Sequence, residues 1–154
     1  MTLRIAALIL SLAAAGPAAA ADCPAPSALD SQAAADRISR LRAQAGLGPV
    51  GADPALTAAA ARQACAMARR GQLTHAGGGG VGARARQAGY PASLAAENIG
   101  AGQRDLGAAM DSWVASAPHR ANLLNGRIRH VGVAQAIAAD GRTRFWSLVM
   151  AAPR

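Results

Sequence analysis

Alanine occupies 44 of the 154 positions. The hydrophobic fraction of 52% therefore carries little side-chain volume. The buried faces have to be read from the spacing of the larger apolar residues rather than from bulk hydrophobicity. The apolar content is still too high for a disordered chain, and the length suits one domain. Two cysteines are too few for a disulfide-built scaffold or a Cys-rich zinc module. No apolar stretch is long enough for a multi-span membrane protein.

The charged residues are equally skewed. All 16 basic residues are arginine, which removes Schiff-base lysines, a P-loop lysine and Ser-Lys dyads. Of eight carboxylates, the only glutamate is Glu97. The net charge of +8 favours anionic envelope polymers or lipid headgroups as long-range partners. Tyr90, Trp113, Phe145 and Trp146 are the whole aromatic set, too few for a base-stacking platform, so no nucleic-acid partner is expected.

Residues 1–21 read as a secretory signal peptide: Arg4, an apolar run from Ile5 to Ala15, a Gly16-Pro17 break, then Ala-x-Ala cleavage sites. Asp22 before Cys23 argues against lipid attachment. A mature N-terminal segment follows over 22–33 and a single domain over 34–154. The mature form is expected to be a monomer without a transmembrane segment, periplasmic or extracellular. In an oxidising compartment Cys23 and Cys65 are the one possible intramolecular pair. A disulfide would close a loop worth ~4 kcal/mol in the chain-entropy model. Two buried thiols are the alternative.

Along the mature chain, Ser31 or Asp30 can cap a first helix that runs to about Ala45 and is ended by Gly46. Asp53-Pro54 is an N-cap with proline at the first helical position. It opens a second helix to about Arg70, with Leu56, Ala60, Ala64 and Met67 as its buried stripe and Gly71 as its C-terminal cap. Gly77–Gly80 is the one low-complexity tract. Val81–Ala88 reads as a short helix closed by Gly89. Asp105 caps another that carries Leu106, Met110, Trp113 and Val114, and Pro118 is expected to end it. Val131, Val133 and Ile137 then alternate, Asp140-Gly141 signals a two-residue hairpin turn, and Phe145–Ala151 returns. Helices first and a hairpin last give an α+β class, with helices packed on an antiparallel sheet.

Three histidines and Glu97 are the candidates for chemistry, and their spacing alone is a weak signal, without a His-Glu-x-x-His or Cys-x-x-Cys. The ordered set of phrases is more specific. It comprises Arg-x-x-Ala-Gly-Leu-x-Pro-Val at Arg42–Val50, Thr74-His75, Ala88-Gly89-Tyr90, Glu97-Asn98-Ile99, Trp113-x-x-Ser116, His119-Arg120-x-Asn122-Leu123-Leu124 and His130-Val131-Gly132-Val133-Ala134. Over roughly Ile38 to Val149 this set resembles the CAP superfamily of cysteine-rich secretory, antigen 5 and pathogenesis-related 1 proteins, in its bacterial SCP-like extracellular branch.

The resemblance implies a three-layer α-β-α sandwich with a small antiparallel sheet. It also implies a central cleft lined by two histidines and two acids. Here those positions fall on His75, Glu97 and His119, with Ser116 where eukaryotic members carry a second glutamate. Two imidazoles and a carboxylate could hold zinc or another divalent transition metal. Alternatively Glu97 braces the cleft through hydrogen bonds. Asn98 and Asn122 are expected to line it, Asn98 as a hydrogen-bonding brace. His130 matches none of the four positions and reads as a strand-edge residue. Three functions follow: a non-catalytic module binding an envelope or extracellular lipid, glycan or protein; a hydrolase, metal-dependent or built on Ser116 and His119; or a secreted effector acting on other cells. No spare glutamate is left to serve a metallohydrolase as general base.

Overall fold

The computed structural model describes residues 22–25 and 27–154. The signal-peptide reading of residues 1–21 lies outside them. Helix α1 (Ala28–Gln44) starts earlier than expected: the capping side chain is Ser27, which accepts from the Asp30 N–H at 3.1 Å. Ser31 and Asp30 therefore lie inside the helix, which begins within the segment read as N-terminal to the domain. A two-residue strand β1 (Gly51–Ala52) precedes α2 (Pro54–Arg70). The Asp53 side chain accepts from the N–H groups of Ala55 and Leu56, and Gly71 closes α2 at φ 60°. Then come α3 (Val81–Gln87), strand β2 (Ala92–Ala101), α4 (Leu106–Ala115) capped by Asp105, α5 (Ala117–Leu123), and strands β3 (His130–Ile137) and β4 (Arg144–Pro153).

Three further local expectations are corrected. Helix α4 stops at Ser116, not at Pro118, and Pro118 sits in the first turn of α5, where its missing N–H costs nothing. The β3–β4 connection is longer than a two-residue turn: Ala138 N–H bonds the Thr143 carbonyl at 2.8 Å. Asp140 holds that loop by accepting from the N–H groups of Arg142 and Thr143. Ala92–Ala101 is a full strand to which the sequence reading gave no secondary structure.

The four strands are ordered β1-β3-β4-β2. Strand β4 is antiparallel to both neighbours, whereas β1 runs parallel to β3, so the sheet is mixed. Alternation along the strands divides two cores. Val131, Val133, Trp146, Leu148 and Met150 meet Ile38 of α1 and Met110 and Trp113 of α4 on one face. On the other, Ala134, Val149 and Ala151 meet Leu56, Ala59 and Ala60 of α2 and Ala85 of α3. Phe145 and Ala136 continue that face to Ala64 and Met67. The result is the α-β-α sandwich.

One contact sets the spacing between α2 and the sheet. A Cβ on Gly132 would lie 2.1 Å from the backbone nitrogen of Thr57, so only glycine lets α2 approach β3 this closely. Beyond the short β1, the edge of β3 is occupied by the Ser31 side chain and the backbone of Asp22. Ser31 Oγ accepts from the Val133 N–H at 3.0 Å and lies 2.8 Å from Thr57 Oγ1. Asp22 pairs with Ile137 through two 2.8 Å bonds. Edge strands left unpaired are templates for aggregation, and these contacts cover one. The Cys23–Cys65 disulfide ties this same segment to α2.

Candidate functional site

Strand β2 is the outer strand of the sheet on the side away from β1, and neighbouring residues on it face opposite layers. Glu97, opposite Val149 in the register, faces α2 and α3; Asn98, opposite Leu148, faces α4 and α5. The site is therefore built around a sheet edge, with one half on each side.

On the α2–α3 side, Glu97 is 6% exposed. Its Oε1 accepts from Arg84 Nη2 at 2.7 Å and from the buried Ser147 hydroxyl at 3.1 Å. Its Oε2 lies 2.9 Å from His75 Nδ1. An ionised carboxylate only accepts, so Nδ1–H donates and Nε2 is the free ring nitrogen. His75 sits on the loop after α2 with an exposed ring. That loop is pinned where Gln63 of α2 donates to the Thr74 carbonyl at 2.6 Å and Thr74 Oγ1 accepts from Ala76 N–H at 3.0 Å.

Arg84 is the residue that sequence reasoning missed. It is 5% exposed on α3, and Nη1 donates to the carbonyls of Gly77 at 2.7 Å and His75 at 3.3 Å. A signal existed: Val81, Arg84, Ala85 and Ala88 share one helical stripe, so Arg84 lies on the inward face. Ser147 gave no such signal, since one serine in an apolar strand is unremarkable.

On the α4–α5 side, Asn98 is fully buried. Its Nδ2 donates to the His119 carbonyl at 3.1 Å, and its Oδ1 accepts from Asn122 Nδ2 at 2.9 Å. Asn98 thus fastens α5, and with it His119, to the sheet edge. The His119 imidazole is held below the ordinary histidine range, first by burial and then by the nearby His75. Ser116 lies between α4 and α5, and among the described residues no hydrogen bond joins it to His119. Trp113 is core: it is 1% exposed and its indole N–H donates to the Ile99 carbonyl. His130 opens β3 and its Nδ1 lies 2.7 Å from the Tyr90 hydroxyl. Burial, aided by Asp53, pushes that phenol up to about 12.

A shared metal centre fits this arrangement poorly. Among the described residues no group of three or more His, Cys, Asp or Glu side chains converges. Glu97, the one glutamate, already faces a guanidinium, and a divalent ion would have to displace Arg84 and work against its charge. What these residues offer is an exposed imidazole oriented by Glu97 and a half-buried second imidazole that resists protonation.

Comparison with known proteins gives a consistent assignment. The family model described as CAP, cysteine-rich secretory protein family, matches residues 35–150. An outer surface protein from Borrelia burgdorferi is 19% identical with a TM-score of 0.71, over 82% of this chain and 94% of that one. An extracellular protein containing an SCP domain from Bacillus anthracis is 25% identical with a TM-score of 0.69, over 80% of this chain and 40% of that one. A cysteine-rich secretory protein from Staphylococcus aureus is 20% identical with a TM-score of 0.57, over 80% and 38% respectively. This chain thus spans well under half the length of those last two proteins. No curated protein sequence gives a match.

Proposed function

Because the chain belongs to the CAP, cysteine-rich secretory protein family, we propose that it is an exported, non-catalytic binding module. Its His75–Glu97–His119 cleft then takes an envelope or extracellular ligand, an anionic lipid, glycan or protein. The observation that carries this reading is the state of Glu97. Both carboxylate oxygens are engaged, by Arg84, Ser147 and His75. A carboxylate paired with a buried guanidinium is a poor general base and a poor metal ligand. It serves instead to fix the His75 ring, leaving Nε2 as a pre-oriented polar contact, and pre-orientation lowers the cost of binding. The outer-surface and extracellular settings named for two of the similar proteins support export.

The test is titration of the mature protein with soluble peptidoglycan fragments and anionic vesicles, beside His75→Ala and His119→Ala, with ester and amide turnover followed in parallel. Saturable binding weakened about tenfold in each variant, without turnover, is expected. Turnover that vanishes in His119→Ala would overturn the reading. So would one-to-one zinc binding lost in both variants.

A further inference from the structure

A cavity lies between α2, the Gly77–Gly78 loop and α3. It measures about 160 Å³ and is lined by Arg62, Gln63 and Arg70 of α2, Gly77 and Gly78, and Arg84 and Gln87 of α3. No aspartate or glutamate lines it. We infer that this cavity is a binding site for a phosphoryl oxyanion, a phosphate ester or a lipid headgroup phosphate.

Charge is the first argument. Three arginines line one small space, and the charge of one of them, Arg84, is answered by Glu97. The carboxylate that answers Arg84 lies outside the lining, and Arg62 and Arg70 have no hydrogen-bonding or ion-pair partner among the described residues. A bound anion would supply the counter-charge that Arg62 and Arg70 lack. Guanidinium forks match phosphate oxygens in geometry as well as charge.

Construction is the second argument. Gly77 and Gly78 hold φ at 113° and 60°, a region that favours glycine. A Cβ on Gly78 would lie 2.7 Å from Arg84 Cγ, and one on Gly77 would lie 3.7 Å from Arg70 Nη1. The loop backbone is therefore threaded between two of the arginines, and the Gly77 carbonyl anchors one of them. Arg84 is nearly fully buried, yet its Nε–H has no partner. Such an orphan donor is uncommon in a finished site.

Size is the third. The cavity falls below the ~300–1,000 Å³ of pockets for drug-sized ligands, which selects a small group rather than an acyl chain.

The cavity shares Arg84 with the Glu97 site, but the residues tested, Arg62 and Arg70, have no hydrogen bond or ion pair to it among the described residues. The test is calorimetric titration of the mature protein with inorganic phosphate and glycerol 3-phosphate. Controls are Arg62→Gln/Arg70→Gln and a second double variant, Arg127→Gln/Arg142→Gln, that removes the same charge from exposed positions elsewhere. Expected is saturable one-to-one binding, weakened at least tenfold in the first double variant and within twofold of wild type in the second. Both variants alter exposed side chains, and thermal melts check that they fold. No saturable binding, or equal loss in both variants, overturns the proposal. Phosphatidylglycerol vesicles separate the two sources. Vesicle binding released by inorganic phosphate assigns a lipid headgroup, and binding of glycerol 3-phosphate without vesicle binding assigns a soluble ester.

Discussion

Glu97 and Arg84 are each held in place by the other, and both are almost wholly removed from water. Breaking a buried pair on one side leaves an uncompensated charge. Glu97→Ala is expected to destabilise the protein by ~3–5 kcal/mol, read from urea denaturation. Replacing both, as Glu97→Ala with Arg84→Leu, should recover part of that loss, because neither charge is then orphaned. An additive double variant would mean the two do not act as a pair. His119 carries a pH prediction. Its folded pKa lies below the ordinary 6.5, from burial and then from His75. The unfolded chain therefore binds more protons in the interval between the two values, and stability rises with pH there. Stability should be intact above about pH 6.5 and should fall as the pH drops through the depressed value. His119→Gln should flatten this dependence of the urea midpoint.

Among the elements, the helices were legible because their ends carry side-chain chemistry. Asp53-Pro54 and Gly71 fix both ends of α2, and Asp105 fixes the start of α4. Strand β2 was not legible. Its sequence, Ala-Ser-Leu-Ala-Ala-Glu-Asn-Ile-Gly-Ala, lacks the alternation of large apolar and polar residues that marks a strand. It is held by its long antiparallel ladder with β4 and by side chains from both layers. The same dependence on neighbours governs Gly132, whose lack of a side chain admits the first turn of α2. Gly132→Ala would drive a methyl group into the backbone at Leu56 and Thr57. The overpacking cost is ~1–3 kcal/mol or more, visible as a lowered Tm with the disulfide intact. Wild-type stability in that variant would mean that α2 can slide without penalty.

At the scale of the molecule, a core rich in alanine gains little from each buried side chain, so covalent and polar ties matter more. The Cys23–Cys65 bond, with a sequence separation of 42, spans such a tie. Cys23→Ser/Cys65→Ser should cost ~2–5 kcal/mol, measured by denaturant titration. An unchanged midpoint would mean that the Asp22–Ile137 bridge alone secures the segment.

The motif order was enough to place the chain in its family and to nominate His75, Glu97 and His119, and the caps were enough to locate the helices. Those signals are local, since caps, helical stripes and short phrases are written in adjacent residues. The parallel β1, the β2 edge strand and the pairing of Arg84 with Glu97 were decided only by tertiary structure. So was the division of the site, with Glu97 and Asn98 turned to opposite layers. Each depends on which residues, distant in sequence, arrive opposite one another across the sheet, and no local pattern records that.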